Sequence, residues 1–426
     1  MWIREITISN YKAIREMNIS FRQGVNLLIG DNGVGKTSIL EAITVAFGDF
    51  INGMSGVAKK GILSSDVRID TKMISDASQG IVHYTPITIR TVFNTEEGEK
   101  IGEVTKRDET GKSKTRFGGK EVSDYANEKA NNLDEELPLL CYYSTARLAP
   151  PKREDFGTVS KNKLNDRRCG YIGCMENNLD IKALKAWCLK MEMAAFQLQK
   201  EIAEYQAFKE IVANFMYRMN DLEEKPQIAY SRAFEDIAYT ENGETIPINY
   251  LSAGYQSLLW MVMDMAFRMA ILNPGKKSLN QCGGIVLIDE IDMHLHPKWQ
   301  WKIIEALQES FPNVQFILAT HSPIIISSSK DAMLLQIERD QTISELSDAY
   351  AYSVSDVLTY RQGSSEIPDQ LKQLSKSFEI AMNKKSYQEA TEILQLMKSQ
   401  YGEENSLVKK GHFRLRMVGI DFNDMH

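Results

Sequence analysis

IVLIDEIDMHLHP occupies residues 285–297 of this 426-residue chain. Its first four residues are apolar and rich in Ile and Val, which is typical of a strand buried on both faces of a parallel sheet. Asp289 and Glu290 follow at once. Because an unpaired buried charge is costly, these acids indicate either an ordinary helix N-cap or a site at the tip of the strand. In a site, Asp289 would hold Mg²⁺, and Glu290 would orient or deprotonate an attacking water.

A glycine-rich loop near the N-terminus favours the site. The apolar run at residues 25–29 leads directly into GDNGVGKTS, residues 30–38, and helical spacing of apolar residues follows. This is the phosphate-loop pattern in the strand-to-helix context that its mechanism requires. Backbone N–H groups would hold the phosphates, Lys36 would reach the β and γ phosphates, and the Thr37 hydroxyl would ligate Mg²⁺. The residues predicted to contact the nucleotide here are Gly30, Asp31, Asn32, Gly33, Val34, Gly35, Lys36, Thr37 and Ser38.

Two further segments place polar residues where apolar elements begin or end. Ser252 opens a strongly apolar helix at LSAGYQ, and the exposed N–H groups of its first turn would attract an anion. A routine capped helix is the alternative. The apolar run at residues 314–319 reads as another buried strand and ends at Thr320-His321, which would place a histidine beside a γ-phosphate.

Composition limits the class of protein. Hydrophobic residues make up 43% of the chain and charged residues 25%, which are ordinary globular values. The net charge of −7 argues against a surface that is basic throughout. No apolar run approaches the roughly 18 residues of a membrane helix, and no signal peptide opens the chain. Five cysteines argue against a disulfide framework, so we expect a cytoplasmic protein without membrane contact.

The middle of the chain is predicted to carry strands and then helices. Apolar residues recur at helical spacing from Leu184 to Tyr205, which predicts a long helix, a short coiled-coil arm or, as we favour, a helical lobe packed on the core. Residues 147–168 are basic, and a solvated loop is favoured there over a nucleic-acid contact. The predicted domains are 1–145, 146–245 as the inserted helical lobe, 246–345, and a helical tail over 346–426.

The order and spacing of the phosphate loop, LSAGYQ, VLIDEID and ATHS resemble those of ABC-type ATPase heads. With ITISNYKAI at the N-terminus and DEIDMHLHP, the chain is most similar to the RecF/SMC/OLD group. This resemblance implies an α/β fold with a mixed sheet and flanking helices, and hydrolysis of ATP with Mg²⁺. It also implies roles for single residues: a signature at Ser252, Ala253, Gly254 and Gln256, metal ligands at Thr37 and Asp289, a catalytic base at Glu290, a D-loop at Asp292 and a switch histidine at His321. Ala253 stands where the family more usually has Gly, and no Q-loop glutamine is identified.

The lengths of the intervening segments narrow the resemblance. The interval between the phosphate loop and the signature is too short for an SMC-type coiled coil, and no Asp-x-Asp pair of a metal nuclease follows His321. Residues 367–422 instead predict two or three amphipathic helices. This architecture resembles the ATPase subunit of Septu-type anti-phage systems, also found with retrons. The resemblance implies a homodimer or higher homo-oligomer through ATP-sandwiched heads, and a separate HNH nuclease through which nucleic acid would be contacted. The alternatives are a RecF-like ATPase acting directly on DNA and a nuclease with an unrecognised site.

Overall fold

The central sheet of the fold has six strands. They are β3 (Val25–Ile29), β9 (Leu139–Tyr143), β13 (Gly284–Ile288), β14 (Val314–Ala319), β15 (Met333–Ile337) and β16 (Ile343–Leu346). Their order in the sheet is β16-β15-β3-β14-β13-β9. All pairings are parallel except that of β15 with β16. Every residue of β3, β9, β13 and β14 is buried, which explains why these strands are continuous apolar runs in the sequence. The predicted mixed sheet is confirmed.

The computed structural model describes residues 1–75, 78–145, 166–176, 179–346, 350, 352–354, 356–357 and 367–419. It divides into two compact units, Met1–Tyr352 and Ser353–His426. Among the described residues, no helix is long and apolar enough to cross a membrane. Most of the basic segment at residues 147–168 lies outside the described residues.

A second, antiparallel sheet covers helix α1 (Lys36–Asn52), which follows the phosphate loop. Its order is β2-β1-β6-β7-β8, formed by β1 (Trp2–Tyr11), β2 (Ile14–Ser20), β6 (Ile87–Thr95), β7 (Gly98–Lys106) and β8 (Arg116–Phe117). Strands β4 (Arg68–Ser75) and β5 (Ser78–Tyr84) form a separate hairpin, and α2 (Lys120–Asn131) packs on α1. Because α1 lies between helix and sheets, it is buried along most of its length.

The interval predicted as a helical lobe is not helical throughout. It contains α3 (Ile181–Leu198) and α4 (Ala203–Asn220), separated where Gln199 has a positive φ of 47°. It then forms an antiparallel sheet of β10 (Gln227–Ser231), β11 (Asp236–Glu241) and β12 (Glu244–Pro247). Asn242 and Gly243 join β11 to β12 with φ angles of 51° and 83°, the conformation of a tight hairpin turn. This Asn-Gly pair is the local signal that the helical interpretation overlooked.

The remaining helices of the larger unit flank the parallel strands. They are α5 (Ala253–Leu272), α6 (Pro297–Gln300), α7 (Ile303–Ser310) and α8 (Pro323–Ser328). The smaller unit contains α9 (Asp369–Asn383), α10 (Tyr387–Tyr401) and α11 (Ser406–Met417), so its residues 367–419 form three helices. Phe378, Leu394 and Val408 lie in their shared core. At Gly411 the helices approach so closely that an added Cβ would lie 2.5 Å from Leu394.

Candidate nucleotide-binding site

The loop between β3 and α1 has the conformation that only glycine adopts without strain. Gly30, Gly33 and Gly35 have φ angles of 146°, 84° and 108°. At Gly30 there is also no room for a side chain, because an added Cβ would lie 2.4 Å from the carbonyl oxygen of Ile337 in β15. Asp31, on the exposed part of the loop, pairs with Arg339 at 3.1 Å. The glycines therefore let the backbone turn sharply against the sheet, which leaves a concave loop for phosphates.

Lys36 begins α1 and is buried within this loop. Its Nζ donates hydrogen bonds to the carbonyl oxygens of Gly30 and Asp31, each at 2.8 Å. Burial lowers the pKa of Lys36 to about 8, and the nearby carboxylates, Asp289 first among them, oppose that shift. A poorly hydrated ammonium group in the centre of the loop is well suited to bind phosphate oxygens.

Thr37 and Asp289 bring the loop and strand β13 together. The Thr37 Oγ1 donates a hydrogen bond to Asp289 Oδ2 at 2.8 Å. Asp289 is buried at the carboxyl end of β13, and its backbone N–H donates to the carbonyl oxygen of Tyr143 in β9 at 2.8 Å. A hydroxyl and a carboxylate held side by side at the entrance to the phosphate loop fit Mg²⁺, which in such sites takes one or two protein oxygens and completes its shell with phosphate and water.

The next residues tie the tips of β13 and β14 together. The backbone N–H of Ile291 donates to the carbonyl oxygen of Ala319 at 3.1 Å, and Thr320 Oγ1 donates to Asp292 Oδ1 at 2.5 Å. Glu290, the residue before Ile291, is exposed and has a positive φ of 45°. Left-handed backbone is unfavourable for a glutamate and is concentrated at functional sites, where the surrounding structure enforces it.

His321 follows Thr320 at the carboxyl end of β14 and is half-buried. Burial lowers the pKa of His321, and the charge of Lys36 lowers it further. The lowered pKa favours the neutral imidazole, which donates a hydrogen bond at one nitrogen and accepts one at the other.

The predicted signature lies at the N-terminus of α5. Ser252 is the N-cap residue but is exposed, and its side chain makes no capping hydrogen bond. Gly254 packs so closely on the segment after Asp292 that an added Cβ would lie 2.7 Å from the carbonyl oxygen of His294. Gln256 Nε2 donates to the carbonyl oxygens of Asn249 and Leu251, at 3.0 and 2.8 Å, and so shapes the turn that presents Ser252 and Ala253.

A buried polar network behind the site was missed from the sequence. The Tyr143 hydroxyl and the Arg268 Nε both donate to Asp264 Oδ2 at 2.8 Å, which joins β9 to α5. Arg268 also donates to backbone carbonyls at Gly170 and Ile172. The signal was an Asp and an Arg four residues apart inside an otherwise apolar helix, a spacing that pairs oppositely charged side chains.

The described end of the basic segment has a structural role. Arg167 is buried and donates to the carbonyl oxygens of Leu272, Asn132 and Glu135 at 2.7–2.9 Å. Its guanidinium therefore hydrogen-bonds the backbone of this chain. Arg168 pairs with Asp166.

Comparison with known protein families agrees with this geometry. The family described as AAA domain matches residues 5–233, just over half of the chain, and the AAA ATPase domain matches residues 175–326. The chain belongs to the AAA domain family. It is an ATPase, and its larger unit has an α/β fold with a mixed sheet and flanking helices.

Individual relatives agree with the resemblance found in the sequence. The Retron Vc95 probable ATPase of Vibrio cholerae is 27% identical over 423 residues, covering 86% of this chain and 80% of the relative. Septu protein PtuA of Bacillus thuringiensis is 26% identical over 352 residues, covering 80% and 77%. DNA replication and repair protein RecF of Clostridium botulinum is 26% identical over 220 residues, covering 48% and 54%. The SMC head domain from Thermotoga maritima superposes with a TM-score of 0.46 at 14% identity, over 82% of this chain and 100% of that one. The predicted relationship to Septu and retron ATPases and to RecF is confirmed.

Proposed function

We propose that this chain is the ATP-binding and ATP-hydrolysing regulatory subunit of an anti-phage defence complex. It would control a separate HNH-type nuclease through ATP-dependent engagement of two heads. The observation that carries the proposal is the hydrogen bond between Thr37 and Asp289, with Lys36 beside it inside the phosphate loop. The relatives named for Septu and retron systems support the biological setting.

Each residue then has a defined task in hydrolysis. The backbone N–H groups of the loop and the Lys36 ammonium bind the β and γ phosphates. Thr37 and Asp289 would hold Mg²⁺, which would neutralise charge on the phosphates. Glu290 accepts a proton from the attacking water, and neutral His321 hydrogen-bonds the γ-phosphate. Asp292, held by Thr320, orients the segment between the two strand tips.

The signature would complete the ATP site of a facing protomer. Ser252 and Ala253 are exposed, and the first-turn N–H groups of α5 can point at a phosphate that this chain does not itself hold. A two-fold arrangement would give two such composite sites. This assembly is proposed as a homodimer or higher homo-oligomer.

The partner is tested by affinity purification from the native operon, with the HNH reading frame present. We expect wild-type protein to retain the nuclease chain. A truncation that keeps residues 1–352 should stay folded and bind ATP, because these residues form a compact unit by themselves. If the tail docks the nuclease through its exposed apolar residues, such as Ile380, Phe413 and Met417, the truncation should lose the nuclease. Recovery of equal amounts of nuclease with both proteins would contradict docking by the tail.

A RecF-like ATPase acting directly on DNA is the second candidate, favoured by the similarity to RecF over about half of this chain. The two functions differ in what stimulates turnover. DNA that accelerates ATP hydrolysis by the purified chain, without any partner, would support the RecF-like function. Turnover that responds only to the nuclease subunit would support the regulatory one.

A further inference from the structure

A cleft of about 280 Å³ lies in the larger unit, between α4, the turn before β13 and the end of α7. Its residues at 277–280 precede β13, and those at 309–310 precede β14. These two strands are parallel neighbours and carry Asp289 and Thr320 beyond their opposite, carboxyl ends. Because a strand of five residues spans roughly 17 Å, the cleft is at the other edge of the sheet from the phosphate loop.

The charged lining of the cleft has a positive excess. Three basic residues and two acidic residues line it: Arg218, Lys225, Lys277, Glu210 and Glu309. Arg218 pairs with Glu309, so these two charges cancel. Within the described part of the chain, neither Lys225 nor Lys277 has an ion-pair partner. With Glu210 as the remaining acid, the two lysines leave a net positive charge on the wall of a concave cleft, which is a suitable environment for an anion.

Two amide side chains also line this cleft. The amides of Asn214 and Asn280 lie in the same lining and can hydrogen-bond a polar head group.

We propose that this cleft binds a small phosphate-bearing ligand of about the size of a nucleoside monophosphate. Lys225 and Lys277 would bind the phosphate, while Asn214 and Asn280 would hydrogen-bond the remainder of the ligand. The volume is close to the lower limit for small-molecule pockets, and it suits a compact ligand better than the extended backbone of a nucleic acid. The site is independent of the proposed ATP chemistry.

The probe is 5′-AMP, titrated calorimetrically into full-length Lys36→Ala, in which the phosphate loop is disabled. We expect 1:1 binding, and no binding of adenosine, which lacks the phosphate. Adding Lys225→Gln and Lys277→Gln should weaken AMP binding about tenfold or more, because each substitution removes a charged hydrogen bond to the phosphate. The matched control is Lys112→Gln/Lys114→Gln, two exposed lysines between β7 and β8, which should leave binding unchanged.

Asn280→Ala tests the amide contact without a change of charge. It should weaken AMP binding several-fold, and unchanged thermal stability would show that the fold is intact. Absence of AMP binding, equal binding of adenosine, equal loss in the lysine control, or binding only of a long oligonucleotide would each overturn the proposal. Because the readout is binding in a chain that cannot use ATP, failure of the proposed ATPase regulation would leave this result unaffected.

Discussion

The phosphate loop and the signature differ in how their polar groups are satisfied. Lys36 and Thr37 are both hydrogen-bonded within the chain, to loop carbonyls and to Asp289. Ser252, in contrast, is exposed and leaves the first turn of α5 without a side-chain cap. The phosphate loop is thus preorganised by this chain, whereas the signature leaves the N–H donors of the first turn of α5 open to solvent. We therefore expect the loop to govern nucleotide binding, and turnover to depend on a group from another protomer.

The largest effect should come from Glu290→Gln. Loss of the base should lower turnover about 10²–10⁴-fold, while the phosphate contacts remain and ATP stays bound. Turnover is measured by phosphate release, and ATP binding by calorimetry. Lys36→Ala should instead lose ATP binding, and Glu305→Gln, an exposed glutamate on α7, is the neutral control. Turnover at the wild-type rate in Glu290→Gln would show that Glu290 is not the base.

The second prediction tests whether the signature acts across an interface. Ser252→Arg and Lys36→Ala should each abolish turnover as pure proteins. In a mixed dimer, one of the two sites combines an intact loop with an intact signature, so turnover should rise clearly above either parent. Differently tagged chains allow the heterodimer to be isolated before the assay. A proven heterodimer as inactive as its parents would contradict independent composite sites, and full activity of a Ser252→Arg monomer would exclude them.

How much could be predicted from the sequence also differs between the phosphate loop and the signature. The parallel strands β3, β13 and β14 were predictable because buried parallel strands are continuous apolar runs, and the contact of Thr37 with Asp289 because the phosphate loop has a fixed spacing. The parallel strand β15 was not predicted. The close approach of Gly254 to His294 was not predictable, since it depends on how α5 packs on a distant segment. Residues 227–245 were assigned to the helical lobe together with the helices before them, but the structure forms strands there.

The third prediction uses that close approach. In Gly254→Ala, the new Cβ would lie 2.7 Å from the carbonyl oxygen of His294, so the signature or the segment after Asp292 must shift. We expect turnover to fall roughly tenfold, since small displacements of positioning groups are costly to catalysis. ATP affinity should change little, because the loop is untouched. Ala253→Gly is the control, as it restores the family's usual residue without a clash. Equal turnover in both variants would show that this packing does not position the signature.

The smallest effect is expected at Asp49, a residue of α1 that, unlike Lys36 and Thr37, is incompletely hydrogen-bonded within the described residues. Asp49, in the last turns of α1, is buried, and within the described residues its Oδ2 has no hydrogen-bond partner. Its Oδ1 accepts a hydrogen bond from the Gly119 N–H at 3.1 Å. Burial raises the pKa of Asp49 to about 6, although that N–H acts in the opposite direction. The folded state therefore keeps this proton at pH values where the unfolded chain has already lost it.

The consequence for stability has a definite sign. The contribution of Asp49 is most favourable below pH 4 and is lost as the pH rises through about 6, because ionisation then costs free energy only in the folded state. Asp49→Asn cannot ionise, so its stability relative to wild type should improve by on the order of 1–3 kcal/mol between pH 4 and pH 7.5. Urea unfolding at a series of pH values measures this difference. Asp124→Asn, at an exposed position on α2, should show no such trend. If the difference in stability between Asp49→Asn and wild type is the same at every pH, Asp49 is not a destabilising buried charge. The polar groups of the phosphate loop and α1 would then be satisfied within the chain, Asp49 included.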